Sequence, residues 1–461
     1  MSQTVRARDL LTYGLMGCAM GAVVVPIYIQ VPYLYSRVYE VPSATVGAIL
    51  LLSRLVDAVL DPAIGLWVDK RQGPGNSNRY ALPILLAIPL LLLGMAGVFF
   101  PQGNEPAHYA LSLLVSLLVV HLGFSLSMIA YQAWGSELGS TDKERSTFVA
   151  AREGIGIVGV IFAVSFSLES HAVGIYSAFA FILLAGAYTL FKLAPRPGSN
   201  NAVAPPATAA LNAAGLKKLV AELLHPLKHS NFRWLLTVFL CNGLAGALPA
   251  TLVPFFMRDR LGLGETDQWV LAVYFVVGAA STVFWVWLAG RIGLIRSWML
   301  SMVITVPTFL TVVALQEGDL TGYLMICVVS GLALGADLAI PAALVARLIN
   351  DNQERGKNEG TYFGLWNWMS KMNLALAPTL ALGTLQWFNY DPTLSKTEVF
   401  KTMGLLDQLA NDPLVWVYAI APCALKLLAV ALLLASGLDR QLTKPGSDYP
   451  SSNSAEQGKA A

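Results

Sequence analysis

Residues 53–62 read SRLVDAVLDP and set a guanidinium and two carboxylates inside an otherwise apolar stretch. Asp57 and Asp61 are four apart, which on a helix stacks them on one face with Cβ atoms roughly 5–6 Å apart. Arg54 precedes them by three and seven residues, so at about 100° per residue all three fall within roughly a 60° arc. Two carboxylates that close cannot both stay charged in a low dielectric. One takes up a proton, or a cation sits between them. Hard oxygen ligands of adjustable charge are what an H+ or Na+ coupling site needs. The same residues also suit a salt-bridged cluster that fastens two helices.

A second constellation lies in TYFGLWNWMSKMNLALAP, where Trp366, Asn367, Trp368, Lys371 and Asn373 combine aromatic faces with amide and ammonium donors. That mixture suits stacked, hydroxylated ligands such as sugars, while the tryptophans alone suit a helix-packing seam. Arg152, Glu153, Asp337 and Lys426 also fall inside apolar stretches. Lys426 stands alone in its stretch and is expected to snorkel or pair locally. His121 reads as a core residue.

The elements that must position these groups follow from composition. The 461 residues are 56% hydrophobic and only 13% charged, with a mean hydropathy of +0.60. Soluble domains carry about 25% charged residues, so the deficit points to a bilayer. Apolar runs of roughly 20 residues cross its core. Twelve are predicted, near 10–36, 43–68, 80–100, 109–133, 147–168, 171–192, 233–256, 268–290, 297–315, 322–347, 359–387 and 413–436. The fold class is an all-α polytopic membrane protein.

The loops alternate between two sides. Twenty-one of the thirty Lys and Arg residues fall on one side, five on the other and four within spans. The positive-inside rule then puts both termini in the cytoplasm. The N-terminal stretch reads as retained helix, since no small-residue cleavage site follows it. The four cysteines lie within spans, so no disulfide framework is expected.

The longest break, 193–231, is rich in Pro, Ala, Asn and Gly, and ends in GLKKLVAELLHPLKH, whose apolar spacing predicts a short amphipathic helix. It divides the spans six and six: a bundle over 1–192, a cytoplasmic linker over 193–231, a second bundle over 232–438 and a disordered tail over 439–461. A faint internal echo agrees, with Trp67 and Trp287, Arg71 and Arg291, and Gly73 and Gly293 at one offset. Paired bundles are the plan of secondary transporters. There is no phosphate-binding loop and no soluble domain to hydrolyse a nucleotide, so any pumping is expected to draw on an ion gradient. The expectation is a transporter and not an enzyme, with no cofactor and no nucleic-acid partner.

RLVDAVLDPAIGLWVDKRQG resembles the second helix and following loop of the glycoside-pentoside-hexuronide:cation symporters, a branch of the major facilitator superfamily. Arg54, Asp57, Asp61, Pro62, Gly65, Asp69 and Lys70 carry the likeness, with Arg79 closing the loop. AYQAWGSELGSTDKERSTFVAAREG is similar to the family's helix four-to-five connection through Tyr131, Glu137, Asp142, Arg145 and Arg152; Lys371 is the third point. The resemblance implies alternating access between two six-helix bundles. In that scheme Asp57 and Asp61 bind the cation, Na+ included, and Lys371 and Arg54 couple to them. Arg152 lies near the sugar and is grouped with Tyr131, Trp366, Asn367 and Asn373. Asp69, Lys70 and Arg71, with Asp142 and Arg145, form a cytoplasmic gate.

Two departures stand out. The melibiose permease-like members carry an acidic residue in helix one and another in helix four, whereas GLMGCAMGAVVV and HLGFSLSMIAYQ have none. Leu60 replaces an asparagine oxygen beside the second aspartate, which favours H+ over Na+. The expectation is a monomeric inner-membrane symporter of a small-molecule polar solute, a sugar or glycoside, whose partners are H+ or Na+ and the lipid bilayer. A transporter of an amphiphile such as a lysolipid or organic anion is the alternative on this fold, and a non-transporting membrane scaffold or sensor the alternative of another class.

Overall fold

The computed structural model describes residues 6–70, 80–136, 138, 142–195, 224–264, 267, 269–352, 359–388, 390 and 412–438. Among them are twelve long helices and no strand. They are α1 (Ala7–Arg37), α2 (Ser43–Lys70), α3 (Ala81–Phe99), α4 (Pro106–Ser136), α5 (Asp142–Val164), α6 (Leu168–Lys192), α7 (Ser230–Arg260), α8 (Trp269–Ile292), α9 (Leu294–Thr311), α10 (Leu320–Asp351), α11 (Glu359–Trp387) and α12 (Pro413–Ser436). Backbone groups in hydrocarbon must bond within their own segment, which is why the chain answers the bilayer with helices alone. Eleven of the helices are long and apolar enough to cross a membrane. The twelfth, α11, has the length at 29 residues. Asn367, Ser370, Lys371 and Asn373 dilute its apolar character.

The close pair predicted at 147–168 and 171–192 is α5 and α6, joined through 165–167. The Gln30 amide donates to the carbonyls of Ala163 and Phe166, both at 2.9 Å, and so closes the end of α5. Gln30 sits in a widened π turn, Pro26–Gln30, between Pro26 and Pro32. Similar turns lie at Phe256–Arg260, after Pro254, and at Trp416–Ile420, before Pro422. Proline removes a ladder N–H and its ring displaces a carbonyl, and a widened turn absorbs the mismatch. Of the predicted linker, 196–223 lie outside the described residues, and with them most of the expected amphipathic helix. His225–Lys228 is a single 3-10 turn. The tail from 439 also lies outside.

Helix pairing follows one rule. In the first six helices α1 packs on α5 and α6, α4 on α2 and α3, and α3 on α6. In the last six α7 packs on α11 and α12, α10 on α8 and α9, and α9 on α12. Adding six to each number turns one set into the other. Across the halves α2 meets α11, α5 meets α8 and α1 meets α7. The α1–α5 seam is built on glycines. A Cβ at Gly159 would stand 1.9 Å from the Cys18 carbonyl oxygen, and one at Gly21 2.1 Å from that of Gly156. Small residues are what let membrane helices approach this closely.

Candidate functional site

The cluster built on Asp57 joins α2, α4 and α11 and crosses from one half to the other. Ser43–Lys70 runs unbroken, so Arg54, Asp57 and Asp61 share a face as their spacing requires. Arg54 Nη1 donates to Asp57 Oδ2 at 2.9 Å, and both residues are buried. From α4 the Ser125 hydroxyl donates to Asp57 Oδ1 at 2.5 Å. From α11 the Lys371 ammonium donates to Asp57 Oδ2 at 3.1 Å and also to Asp61 Oδ2. Tyr28 of α1 lies under the Arg54 guanidinium, 5.3 Å from ring centroid to Cζ. Two carboxylates, one guanidinium and one ammonium make the cluster neutral.

Lys371 therefore stands between the two aspartates, where the spacing alone asked for a proton or a cation. The second oxygen of Asp61 is buried without a partner among the described residues. The aspartate oxygens and the Ser125 hydroxyl are hard donors suited to a monovalent cation. Among the described residues no group of three or more His, Cys, Asp or Glu is placed to hold a metal ion. His121 is buried one turn before Ser125, and neither ring nitrogen has a hydrogen-bond partner among the described residues.

The aromatic and amide residues of α11 do not share one wall. Trp366 and Asn373 are seven apart and face α7: Trp366 lies 3.7 Å from Phe239 between ring centroids, and the Asn373 amide donates to the Phe239 carbonyl at 3.3 Å. Asn367 and Lys371, four apart, lie on another face, where Lys371 meets α2. Asn367 and Trp368 are exposed. Trp366 thus takes the helix-packing role that was the alternative for the tryptophans.

In the first half Tyr131 and Tyr13 exchange bonds. Each hydroxyl donates to the other's backbone carbonyl, at 2.6 Å and 3.1 Å. Tyr131 is fully buried, so this pair ties α4 to α1. Arg152 bonds its neighbour Glu153 through two nitrogens, at 2.6 and 3.1 Å. Its backbone carbonyl faces Gly17 of α1. Asp69 and Lys70 end α2, and Asp142 and Arg145 open α5. Their side chains, and Arg71 altogether, lie outside the described residues.

Two polar sites were missed by sequence reasoning. The first closes the membrane face opposite the chain termini. Arg37 Nη1 pairs with Asp259 Oδ1 at 2.8 Å, and the Tyr390 hydroxyl donates to Asp259 Oδ2 at 2.5 Å. Arg258 pairs with Glu169, and its guanidinium lies over the Tyr33 ring at 4.9 Å. The Gln386 side chain accepts from the Ala44 amide at 2.7 Å. All of these but the Tyr390–Asp259 bond, which lies within the second half, join one half to the other. Arg37, Arg258 and Arg260 are three of the five basic residues assigned to that side, and their scarcity there was the available signal.

The second site corrects the expectation for Lys426. It neither snorkels nor pairs locally. Its ammonium donates to Asn242 at 2.8 Å and to Asp337 at 3.2 Å, across three helices.

Comparison with known proteins agrees with this architecture. The chain aligns with a putative glycoside/cation symporter of Escherichia coli (strain K12), 25% identical over 194 residues, which is 40% of this chain and 41% of that protein. An uncharacterized symporter of Bacillus subtilis (strain 168) is 24% identical over 131 residues, 28% of each. The chain thus spans well under half the length of these two relatives. A sodium-dependent lysophosphatidylcholine symporter of Xenopus tropicalis is 20% identical over 412 residues, 81% of this chain and 76% of that one. Among solved structures, the nucleoside transporter NupG superposes with a TM-score of 0.63 at 12% identity, covering 94% of this chain and 99% of that one. A D-xylose-proton symporter gives 0.57 at 14%, covering 92% and 96%. These two likenesses establish the fold, a major facilitator fold. The family model described as MFS/sugar transport protein matches residues 10–440, and the chain belongs to that family of multi-pass membrane transporters.

Proposed function

We propose that the protein is a cation-coupled symporter that imports a small polar solute, a sugar or glycoside, by alternating access of two six-helix units, residues 1–192 and 232–438. The observation that carries this reading is Lys371, an ammonium of the second half bridging two carboxylates of the first. While it bridges them, the cluster is neutral and the halves are held together. When the halves reorient and Lys371 withdraws, one negative charge is left in low dielectric, and a proton or a monovalent cation must replace the ammonium. Ion binding and reorientation are thereby linked through one set of oxygens. Leu60 supplies no oxygen to complete a sodium shell, which favours H+.

The contacts between halves on the face opposite the termini hold that side together. Asp69, Lys70, Arg71, Asp142 and Arg145 are assigned to the gate that closes the terminal face in the other half of the cycle. Both termini are taken as cytoplasmic, in an inner membrane, and the transporter as a monomer. Proteoliposomes with an imposed proton or sodium gradient test the reading: wild type concentrates a labelled saccharide, and collapse of the gradient abolishes accumulation. Uptake indifferent to both gradients overturns it. A second reading, transport of a lysolipid-like amphiphile, draws on the vertebrate lysophosphatidylcholine symporter that aligns over 81% of the chain, and on the absence of acidic side chains in the middle of α1 and α4. It predicts lysophosphatidylcholine uptake in the same vesicles and none of the saccharide.

A further inference from the structure

The second half of the molecule holds a polar cluster of its own. Asp337 Oδ1 accepts from the Asn242 amide of α7 at 2.8 Å and from the Trp298 indole of α9 at 2.7 Å. Asp337 Oδ2 accepts from Lys426 of α12 at 3.2 Å, and Lys426 donates again to Asn242 Oδ1 at 2.8 Å. Four helices converge on one carboxylate. Trp298, Asn242 and Lys426 are buried, whereas the Asp337 side chain stays 22% exposed. Met325 and Leu332 of α10 are exposed, and Asp337 lies five residues beyond Leu332, about 140° round the helix, on the side where its partners from α7, α9 and α12 meet it.

A carboxylate fixed by three donors and still partly exposed is a built acceptor. Its Oδ2 has one bond and room for a second. The charge balance selects the ligand. Asp337 and Lys426 cancel, so an added cation meets Lys426, an added anion meets Asp337, and a neutral hydroxyl meets neither. One turn before Asn242 on α7, Phe239 packs against Trp366, and the Asn373 side-chain oxygen beside Gly243 is buried without a partner among the described residues.

We propose that Asp337, oriented by Asn242, Trp298 and Lys426, is the substrate-reading carboxylate of the second half and accepts a hydroxyl of a neutral polyhydroxylated solute. This rests on the reading of the protein as a sugar or glycoside symporter. It assigns recognition to α10, while coupling stays at α2 and α11.

Initial uptake rates of labelled D-xylose, D-galactose and melibiose in proteoliposomes test it. Asp337→Asn keeps the shape and removes the charge-assisted bond. Expected for the transported sugar is a KM raised roughly tenfold or more, with the dependence of Vmax on the ion gradient unchanged. A merely structural ion pair would lower the thermal midpoint and leave the KM of the folded protein alone, and that result overturns the proposal. If Asp337→Asn does not fold, Asp337→Glu retains the ion pair and displaces the carboxylate by one methylene. A wild-type KM in that variant overturns the proposal equally. Uptake of none of the three sugars by wild type overturns the sugar reading and this inference with it, whereas wild-type uptake with an unchanged KM in the variant sinks the inference alone.

Discussion

Asp57 has three partners on three helices, and only Lys371 comes from the other half of the molecule. Asp57→Asn keeps the shape of the site and removes the charge that Lys371 and the coupling ion share. The expected outcome is loss of concentrative uptake by at least about tenfold, with exchange of labelled for unlabelled substrate across the membrane preserved. Retained accumulation in this variant would separate Asp57 from coupling. Lys371→Ala leaves two carboxylates with Arg54 alone. Stripping one member from a buried pair costs about 3–5 kcal/mol; the partial exposure of Lys371 places this case at or below the low end. A lowered thermal midpoint is expected, and Asp61→Asn in the same chain should restore part of it. Failure of the second substitution to restore anything would mean that the two side chains are not coupled. The carboxylate pair and its arginine were legible in the sequence because i, i+3 and i, i+4 neighbours are fixed by the helix itself. Ser125 was not, since the face of α4 that meets α2 is set by packing over 68 residues of separation.

At the scale of the helix, sequence and structure agree where local rules decide. Apolar length predicted the spans, and the prolines of α1, α7 and α12 lie beside their widened turns. Pairing of helices is another matter. Gly14, Gly17 and Gly21 on α1 and Gly156 and Gly159 on α5 read as ordinary membrane glycines until the two helices are seen in contact. Gly159→Val would drive a side chain into the Cys18 carbonyl and force α1 from α5. Overpacking typically costs about 1–3 kcal/mol, and a backbone obstacle puts this substitution at the upper end. The expected outcome is a clear fall in thermal midpoint. A midpoint equal to wild type would mean that the seam is looser than its distances say. On α11 the same limit applies: a helical wheel separates Trp366 and Asn373 from Lys371, but which helix each face meets is decided by α7 and α2.

Across the whole molecule, the contacts opposite the termini hold the two halves together through Asp259, which pairs with Arg37 of the first half and is braced by Tyr390 of its own. Burial, and then the Asp259 carboxylate beside it, push the Tyr390 hydroxyl well above the ordinary tyrosine range. The sign follows directly: a raised tyrosine stays protonated as pH rises, so its bond to Asp259 is fully present below about pH 10 and is lost only above the folded value. The brace that Tyr390 gives Asp259 is therefore expected to be independent of pH from 6 to 9, and maleimide labelling at this face should not change over that range on its account. Asp259→Asn should loosen it. With the native cysteines replaced by serine, a cysteine at buried Met257 reports the change: labelling by a membrane-impermeant maleimide should rise several-fold in the Asp259→Asn background. No increase would show that other contacts keep the face shut.

By itself the sequence determined what local physics controls: that the chain lies in a bilayer, where its helices run, and that α2 carries two carboxylates and an arginine on one face. The resemblance of that helix to a symporter family was legible there as well. The family resemblance pointed to Lys371 as the partner of the aspartates; tertiary structure alone decided that it stands between them, that Lys426 joins Asp337 through Asn242, and that Arg37 and Arg258 clasp the opposite face. Each of these joins residues on helices far apart in the chain. In lipid the apolar faces of helices are nearly interchangeable, so hydropathy cannot choose their partners. The choice falls to glycine seams, buried hydrogen bonds and charge pairs, which exist only once the helices are packed.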